Sequence, residues 1–184
     1  MGKQAILLTG SPGTGKTEVA RAFCKKFGWK YLSLTDLVNE YGLYSKIDEK
    51  DKSRIAELEK LQKIANEKIH QSKKPVLVEG HLGCEIELKV QRVLVLRLNP
   101  VDLVNRLEKR RYSKAKVEKN MLAEVLDYCT LTSEKCYRKS RVFELDTTGM
   151  NKSDVMKALI EFTASRELGA KFRPHINWTK MLLK

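Results

Sequence analysis

Gly10-Ser11-Pro12-Gly13-Thr14-Gly15-Lys16-Thr17 has the residue types and spacing, G-x-x-x-x-G-K-[ST], of a loop that holds phosphates. Its glycines let consecutive backbone N–H groups turn inward and surround phosphate oxygens with no Cβ in the way. A helix starting at Lys16 aims its positive end at the same point. The Lys16 ammonium reaches the β- and γ-phosphates as a compact cation, and the Thr17 hydroxyl is placed to ligate Mg2+. Gly13, Thr14, Gly15, Lys16, Thr17 and Glu18 are therefore candidate binders of ATP. The apolar run before the loop, Ala5-Ile6-Leu7-Leu8-Thr9, is context that a chance glycine turn lacks.

Enzymes with this loop hold the magnesium shell with an acidic residue at the end of a neighbouring strand. Val76-Leu77-Val78-Glu79-Gly80-His81 offers Glu79, which could orient a metal-bound water. His81, two residues on, could face the γ-phosphate or a water. The plainer alternatives are a lysine partner for Glu79 and an ordinary loop histidine at 81. Three arginines follow in Arg106-Leu107-Glu108-Lys109-Arg110-Arg111-Tyr112, and Arg106 and Arg110, four apart, share a helix face. Mobile guanidiniums over a transferring phosphoryl group would stabilise the charge that builds there and exclude water. The alternative is a solvated basic face. Leu145-Asp146-Thr147-Thr148-Gly149 follows the last apolar run, and a backbone turn at Gly149 could grip an adenine edge. The loop alone does not separate a kinase from a GTPase or a motor ATPase. At 184 residues the chain is short for a motor with its additional modules, a Ras-type GTPase is not the expectation, and a small kinase is the favoured class.

These residues need a scaffold. Short apolar runs at 5–9, 29–32, 75–78, 93–98 and 142–145 alternate with helix-period segments, the pattern of βαβ units around a parallel sheet covered on both faces. Lys16 to Phe27 predicts a helix closed by Gly28. Ile55, Leu58, Leu61, Ile64 and Ile69 predict one face of a long helix ending at Lys73-Lys74-Pro75. Asn99-Pro100 starts another helix, with Asp102 in its first turn. Ser113 is the expected cap of a further helix carrying Val117, Met121, Val125 and Cys129 on one face, and Ser153-Asp154 the start of the last. A basic tail, 170–184, follows, with Trp178 as its expected anchor. One domain over 1–184 is expected from length and pattern.

Bulk properties exclude several classes. Hydrophobic residues at 42% argue against a disordered chain despite 32% charged residues. No stretch approaches the roughly 18 consecutive apolar residues of a membrane span, and the N-terminal apolar run is too short for a signal segment, so no membrane contact and a cytoplasmic location are expected. Cys24, Cys84, Cys129 and Cys136 form no Cys-x-x-Cys pair, so reduced thiols rather than a structural zinc are expected. The formal charge of +13 suits an anionic partner, either nucleotides or RNA, or reflects a lysine-rich proteome.

Taken together, the glycine loop, Val78-Glu79-Gly80-His81, the arginine segment and Asp146-Thr147-Thr148-Gly149 resemble the adenylate kinase isoenzyme 6 family over nearly the whole chain. The resemblance implies an α/β, three-layer P-loop kinase fold: a five-stranded parallel sheet of order 2-3-1-4-5, helices on both faces, and a short lid at about 109–119. It also implies a monophosphate-binding segment at about 33–50 that includes Ser33 and Asp36. On this reading Lys16, Glu79, His81, Arg106 and Arg110 are catalytic, Arg110 also contacts ATP, and Thr17 and Glu79 (through water) hold Mg2+. The implied activities are adenylate kinase, with ATP and AMP as substrates, and ATPase. A role in maturing small-subunit ribosomal RNA is implied too, with a platform ribosomal protein as partner and ribosomal RNA as a further contact. Two positions depart from the family pattern: Glu79 stands where aspartate is usual, and Arg111 replaces the glycine of an Arg-Gly-Tyr lid, stiffening the hinge and adding a charge. An assembly factor with secondary kinase activity and a small-metabolite kinase are the competing readings.

Overall fold

Five short runs of aliphatic residues become the central sheet because both of their faces can be covered. The computed structural model describes residues 4–47, 54–174 and 176–180. Its strands are β1 (Ala5–Thr9), β2 (Lys30–Ser33), β3 (Tyr44–Ile47), β4 (Arg54–Ala56), β5 (Val76–Glu79), β6 (Arg92–Arg97) and β7 (Val142–Asp146). The main sheet is parallel, in the order β2-β5-β1-β6-β7, while β3 and β4 form a separate antiparallel pair. Counting only the strands of the main sheet, this is the expected order 2-3-1-4-5.

The helices are α1 (Lys16–Phe27), α2 (Leu34–Glu40), α3 (Leu58–Gln71), α4 (Pro100–Lys109), α5 (Lys114–Val125), α6 (Tyr128–Cys136) and α7 (Lys152–Ala164). Alternate strand residues feed two cores. Leu7, Val76, Val78, Val93 and Val95 pack with Leu61, Ala65 and Ile69 of α3. Ile6, Leu8, Leu77, Leu94 and Leu96 pack with Val19 and Phe23 of α1 and with Ala158, Leu159 and Phe162 of α7. A third, small cluster of Leu98, Leu103, Leu107 and Val117 joins α4 to α5. No helix among the described residues is long and apolar enough to cross a membrane.

Local signals act as expected at several ends. Gly28 closes α1 in the left-handed region, Asn99 caps α4 with Pro100 in its first turn, and Ser113 caps α5. Three expectations are corrected. Ile55 belongs to β4, paired with β3, and α3 starts only at Leu58. The helix expected from Ser113 through Cys129 is two helices, because Asp127 adopts φ 53 between them and gives its carboxylate to Arg97; a short acidic side chain tolerates that conformation. In the tail the buried anchor is Phe172, packed on Phe162, whereas Trp178 is only half-buried. Residues 48–50 of the expected monophosphate segment, and 175 and 181–184 of the tail, lie outside the described residues.

Candidate active site

The glycine loop joins β1 to α1 and closes tightly over the sheet. Gly10, at φ +133, lies so near β6 that a Cβ there would sit 2.3 Å from the Leu96 carbonyl oxygen. A side chain at that position has no room, since the obstacle is backbone. Gly13, at φ +98, lies under α4, where a Cβ would meet Leu103 Cδ1 at 2.8 Å. Gly15, at φ +93, opens α1.

Lys16 is buried, and its Nζ donates to the carbonyl oxygens of Gly10 at 2.8 Å and Ser11 at 2.9 Å. Burial pushes its pKa below the ordinary lysine value, while the nearby Glu79 and Glu124 carboxylates oppose that push. The Thr17 hydroxyl donates to Glu79 Oε1 at 3.2 Å, and the Tyr31 hydroxyl donates to Glu79 Oε2 at 2.8 Å. Burial, and then the bond to Glu79, push the Tyr31 pKa up to about 12, so it stays a neutral donor. Glu79 is thus held by two hydroxyls. His81 starts a 3-10 turn (His81–Cys84) just beyond. His81 is exposed, and partial desolvation and then the Lys16 charge hold its pKa below the usual imidazole range. Solvent contact softens that depression, but its direction leaves the ring neutral at pH 7.

Across the loop lies a cavity of about 300 Å3. Gly13, Thr14, Gly15 and Glu18 form one wall, Arg106 and Arg110 the second, and Thr147, Met150, Asn151 and Lys152 the third. The structure therefore brings together the loop, both arginines and the segment around Gly149. Gly149 itself turns the chain at φ +72, and the lining comes from Thr147 and Met150 on either side of it. Glu18 pairs with Lys152 at 2.6 Å, whose hydrogen bond and charge lower the Glu18 pKa. A larger cavity, about 620 Å3, opens at the opposite ends of the strands beside Gln91. Two of its polar linings, Gln62 and Asn66, already bond the Glu87–Lys89 backbone, and it contains none of the chemistry above.

Ser33 and Asp36 stand at the start of α2, beyond Tyr31. The Ser33 hydroxyl caps this helix by accepting from Asp36 N at 3.1 Å. Asp36 is exposed and 3.7 Å from Arg21, which lies over the Tyr31 ring. At the lid, Arg110 ends α4 and Arg111 adopts φ 59, with Arg111 N bonded to Glu108 O and Tyr112 N to Leu107 O. This is the helix-ending geometry that glycine usually supplies. Arg111 keeps the glycine conformation at a cost of about 1 kcal/mol.

Two features escaped the sequence reading. Arg97, at the end of β6, is 2% exposed and binds Glu124, Asp127 and Glu144, and Glu124 in turn accepts from the Ser11 hydroxyl at 2.5 Å. An arginine ending an apolar strand, Val93-Leu94-Val95-Leu96-Arg97, was the available signal. Asn151-Lys152-Ser153-Asp154 has the Asn-Lys-x-Asp spacing with which GTPases read guanine, so the sequence itself counts toward a Ras-type GTPase here. Structure argues against that use of the motif. The Asn151 side chain accepts from Asp154 N, and the Asp154 carboxylate accepts from Asn151 N, a reciprocal cap that occupies both at the start of α7.

Comparison with known proteins agrees with this geometry. The AAA_18 family, described as "AAA domain", matches residues 6–127. A Methanocaldococcus jannaschii protein named "Putative adenylate kinase" is 36% identical over 156 residues, 85% of this chain and 84% of its own. A Pyrococcus furiosus protein of the same name is 34% identical over 178 residues, 96% and 92% of the two chains. Among solved structures, a shikimate kinase from Acinetobacter baumannii superposes with a TM-score of 0.60 at 16% identity, covering 91% of this chain and 96% of that one. A gluconokinase from Sinorhizobium meliloti gives 0.54 at 13%, covering 88% and 98%. At such identities these two show the fold alone, a P-loop kinase fold. The archaeal relatives match at 30% identity or more over most of both chains, and with them this chain belongs to the adenylate kinase isoenzyme 6 family of P-loop proteins.

Proposed function

We propose that this chain is a nucleotide kinase that transfers the γ-phosphoryl group of ATP to a nucleoside monophosphate, with AMP as acceptor. The observation that carries the reading is the placement of Arg106 and Arg110 across a cavity from Gly13–Gly15, with Lys16 and Thr17 continuing the same loop and Glu79, at the end of β5, bonded to Thr17. The name borne by the archaeal relatives points the same way.

In this reading the loop N–H groups and Lys16 bind the phosphates, and the ammonium exchanges its loop carbonyls for phosphate oxygens. Arg106 and Arg110 close from the far wall and meet charge that develops during transfer. The uncharged strip Thr147–Met150 receives the base, and Ser33 and Asp36 flank the acceptor side. Thr17 and Glu79 fit a magnesium ion: a hydroxyl and a carboxylate oxygen 3.2 Å apart suit direct and water-mediated contact with a cation that keeps several waters. Bound there, the metal would neutralise charge shared by the β- and γ-oxygens. Glu79 reaches the shell from one methylene further out than the usual aspartate, and Tyr31 keeps the longer side chain in place.

A second activity, hydrolysis of ATP, belongs to the same reading, with His81, two residues beyond Glu79, as the group that would hold a water. The family resemblance and the charge of +13 extend the reading to a cytoplasmic factor for small-subunit ribosomal RNA maturation that binds a platform ribosomal protein. A coupled assay with ATP or GTP as donor, and AMP, other monophosphates or water as acceptor, tests the enzymatic part. Transfer to AMP from ATP supports it, while turnover to water alone, or preference for GTP, contradicts it. Failure to capture a small-subunit ribosomal protein in a pull-down would remove the assembly role.

A further inference from the structure

The phosphate loop is tied to the lid helices at two points of different character. At Gly13 the contact is apolar: Leu103 and Leu107 of α4 lie directly over a residue without a side chain, and such a contact can slide. At Ser11 the contact is directional. Ser11, 1% exposed, donates to Glu124 Oε2, and Glu124, also 1% exposed, sits near the end of α5. The other Glu124 oxygen accepts from Arg97 Nε at 2.7 Å and Leu98 N at 3.2 Å. Arg97 also binds the Glu124 backbone oxygen and Asp127 just past the helix end, and Glu144 on β7. The end of α5 nearest the sheet is therefore clamped to β6 and β7, while its beginning continues from the Arg110-Arg111-Tyr112 turn.

The same serine sits beside the lysine. Ser11 O accepts from Lys16 Nζ and from the Thr14 hydroxyl, so moving Ser11 moves the seat of the ammonium. Resting on the kinase reading, we infer that Glu124 is a positioning residue for phosphoryl transfer: through Ser11 it fixes the loop that seats Lys16. Glu124 touches no substrate.

The test uses the full chain with Ser11→Ala, Glu124→Gln and the double variant, and Thr130→Val as a control. Thr130 binds Arg97 and Glu144 in the same network without reaching the loop. Ser11→Ala is expected to lower kcat for AMP phosphorylation by roughly ten- to a hundredfold, with the KM for ATP changed less than about threefold, because misplacement rather than binding is lost. Glu124→Gln is expected to act in the same direction, and adding Ser11→Ala to it to cost little more. Thr130→Val is expected to lower Tm at unchanged kcat, the pattern of a merely structural role. Amide exchange over 10–15 is read in parallel, and is expected to speed up in the first two variants and not in the control. A kcat for Ser11→Ala within about twofold of wild type, or independent effects that multiply in the double variant, overturns the inference. If the wild type phosphorylates no acceptor, the kinase reading fails on its own, and exchange over 10–15 then decides the pin: unchanged rates in Ser11→Ala and Glu124→Gln overturn it.

Discussion

Lys16→Met removes the ammonium and keeps most of the aliphatic stem. That ammonium makes charge-assisted hydrogen bonds to Gly10 O, to Ser11 O and, at 3.4 Å, to Thr14 Oγ1. Such bonds contribute about 1.5–3 kcal/mol each. The desolvation of a buried cation works against them, and the lowered Lys16 pKa records that cost. The two nearly offset, so the net change in folding stability is expected to stay within about 2 kcal/mol, or less than about 8 °C in Tm for a chain of this size. Transfer is different. Without Lys16 no compact cation is seated under the β- and γ-phosphates, and loss of one such group typically costs about 3–4 kcal/mol, a fall in kcat of roughly a hundred- to a thousandfold. The assay is steady-state ADP formation from ATP and AMP alongside thermal unfolding. Turnover within about tenfold of wild type would refute the role of Lys16. Stability carries a second signature. Folded Lys16 loses its proton at a pH below 10.5, where the unfolded chain still binds it. The stability of wild type relative to Lys16→Met should therefore rise as pH climbs through the folded pKa toward 10.5. A flat difference would mean that burial does not burden the cation.

Arg110→Ala is expected to lower kcat and kcat/KM together, since a guanidinium on the far wall of the cavity contacts the transferring group mainly when closed; a pure rise in the KM for ATP would make it a ground-state binder. His81→Ala is expected to reduce ATP hydrolysis more than transfer to AMP, because bound AMP supplies the nucleophile and only hydrolysis needs a positioned water; equal losses would mean that His81 supports the architecture instead. Arg111→Gly is expected to raise stability by up to about 1 kcal/mol by relieving the left-handed conformation, and an unchanged or lower Tm would show that the arginine side chain compensates through contacts of its own.

Much of the scaffold could be read directly. Period and punctuation placed all five strands of the main sheet within a residue or two and set α1 at its observed bounds, because apolar runs between glycine and proline signals leave few alternatives. Ile55 was misplaced because its spacing to Leu58 and Leu61 fits a helix, while its pairing with β3 depends on a contact that periodicity cannot show. The break at Asp127 was hidden for a similar reason: what holds it open is Arg97, thirty residues away in sequence. The loop, Glu79 and the arginines were legible because their chemistry is local to a motif. Glu124 was not, since nothing in Ala123-Glu124-Val125 distinguishes a solvated glutamate from one buried against Ser11. Asn151-Lys152-Ser153-Asp154 shows the reverse hazard: a spacing with a functional meaning elsewhere serves here as a helix cap.

The most direct measurement follows a radiolabel. Wild-type protein is incubated with magnesium and ATP labelled at the γ-phosphorus, with and without AMP, and the products are separated. The expected result is label in ADP, as its β-phosphate, formed only when AMP is present and abolished in Lys16→Met. Label found solely in inorganic phosphate, at the same rate with and without AMP, would contradict the assignment of this site to phosphoryl transfer between nucleotides.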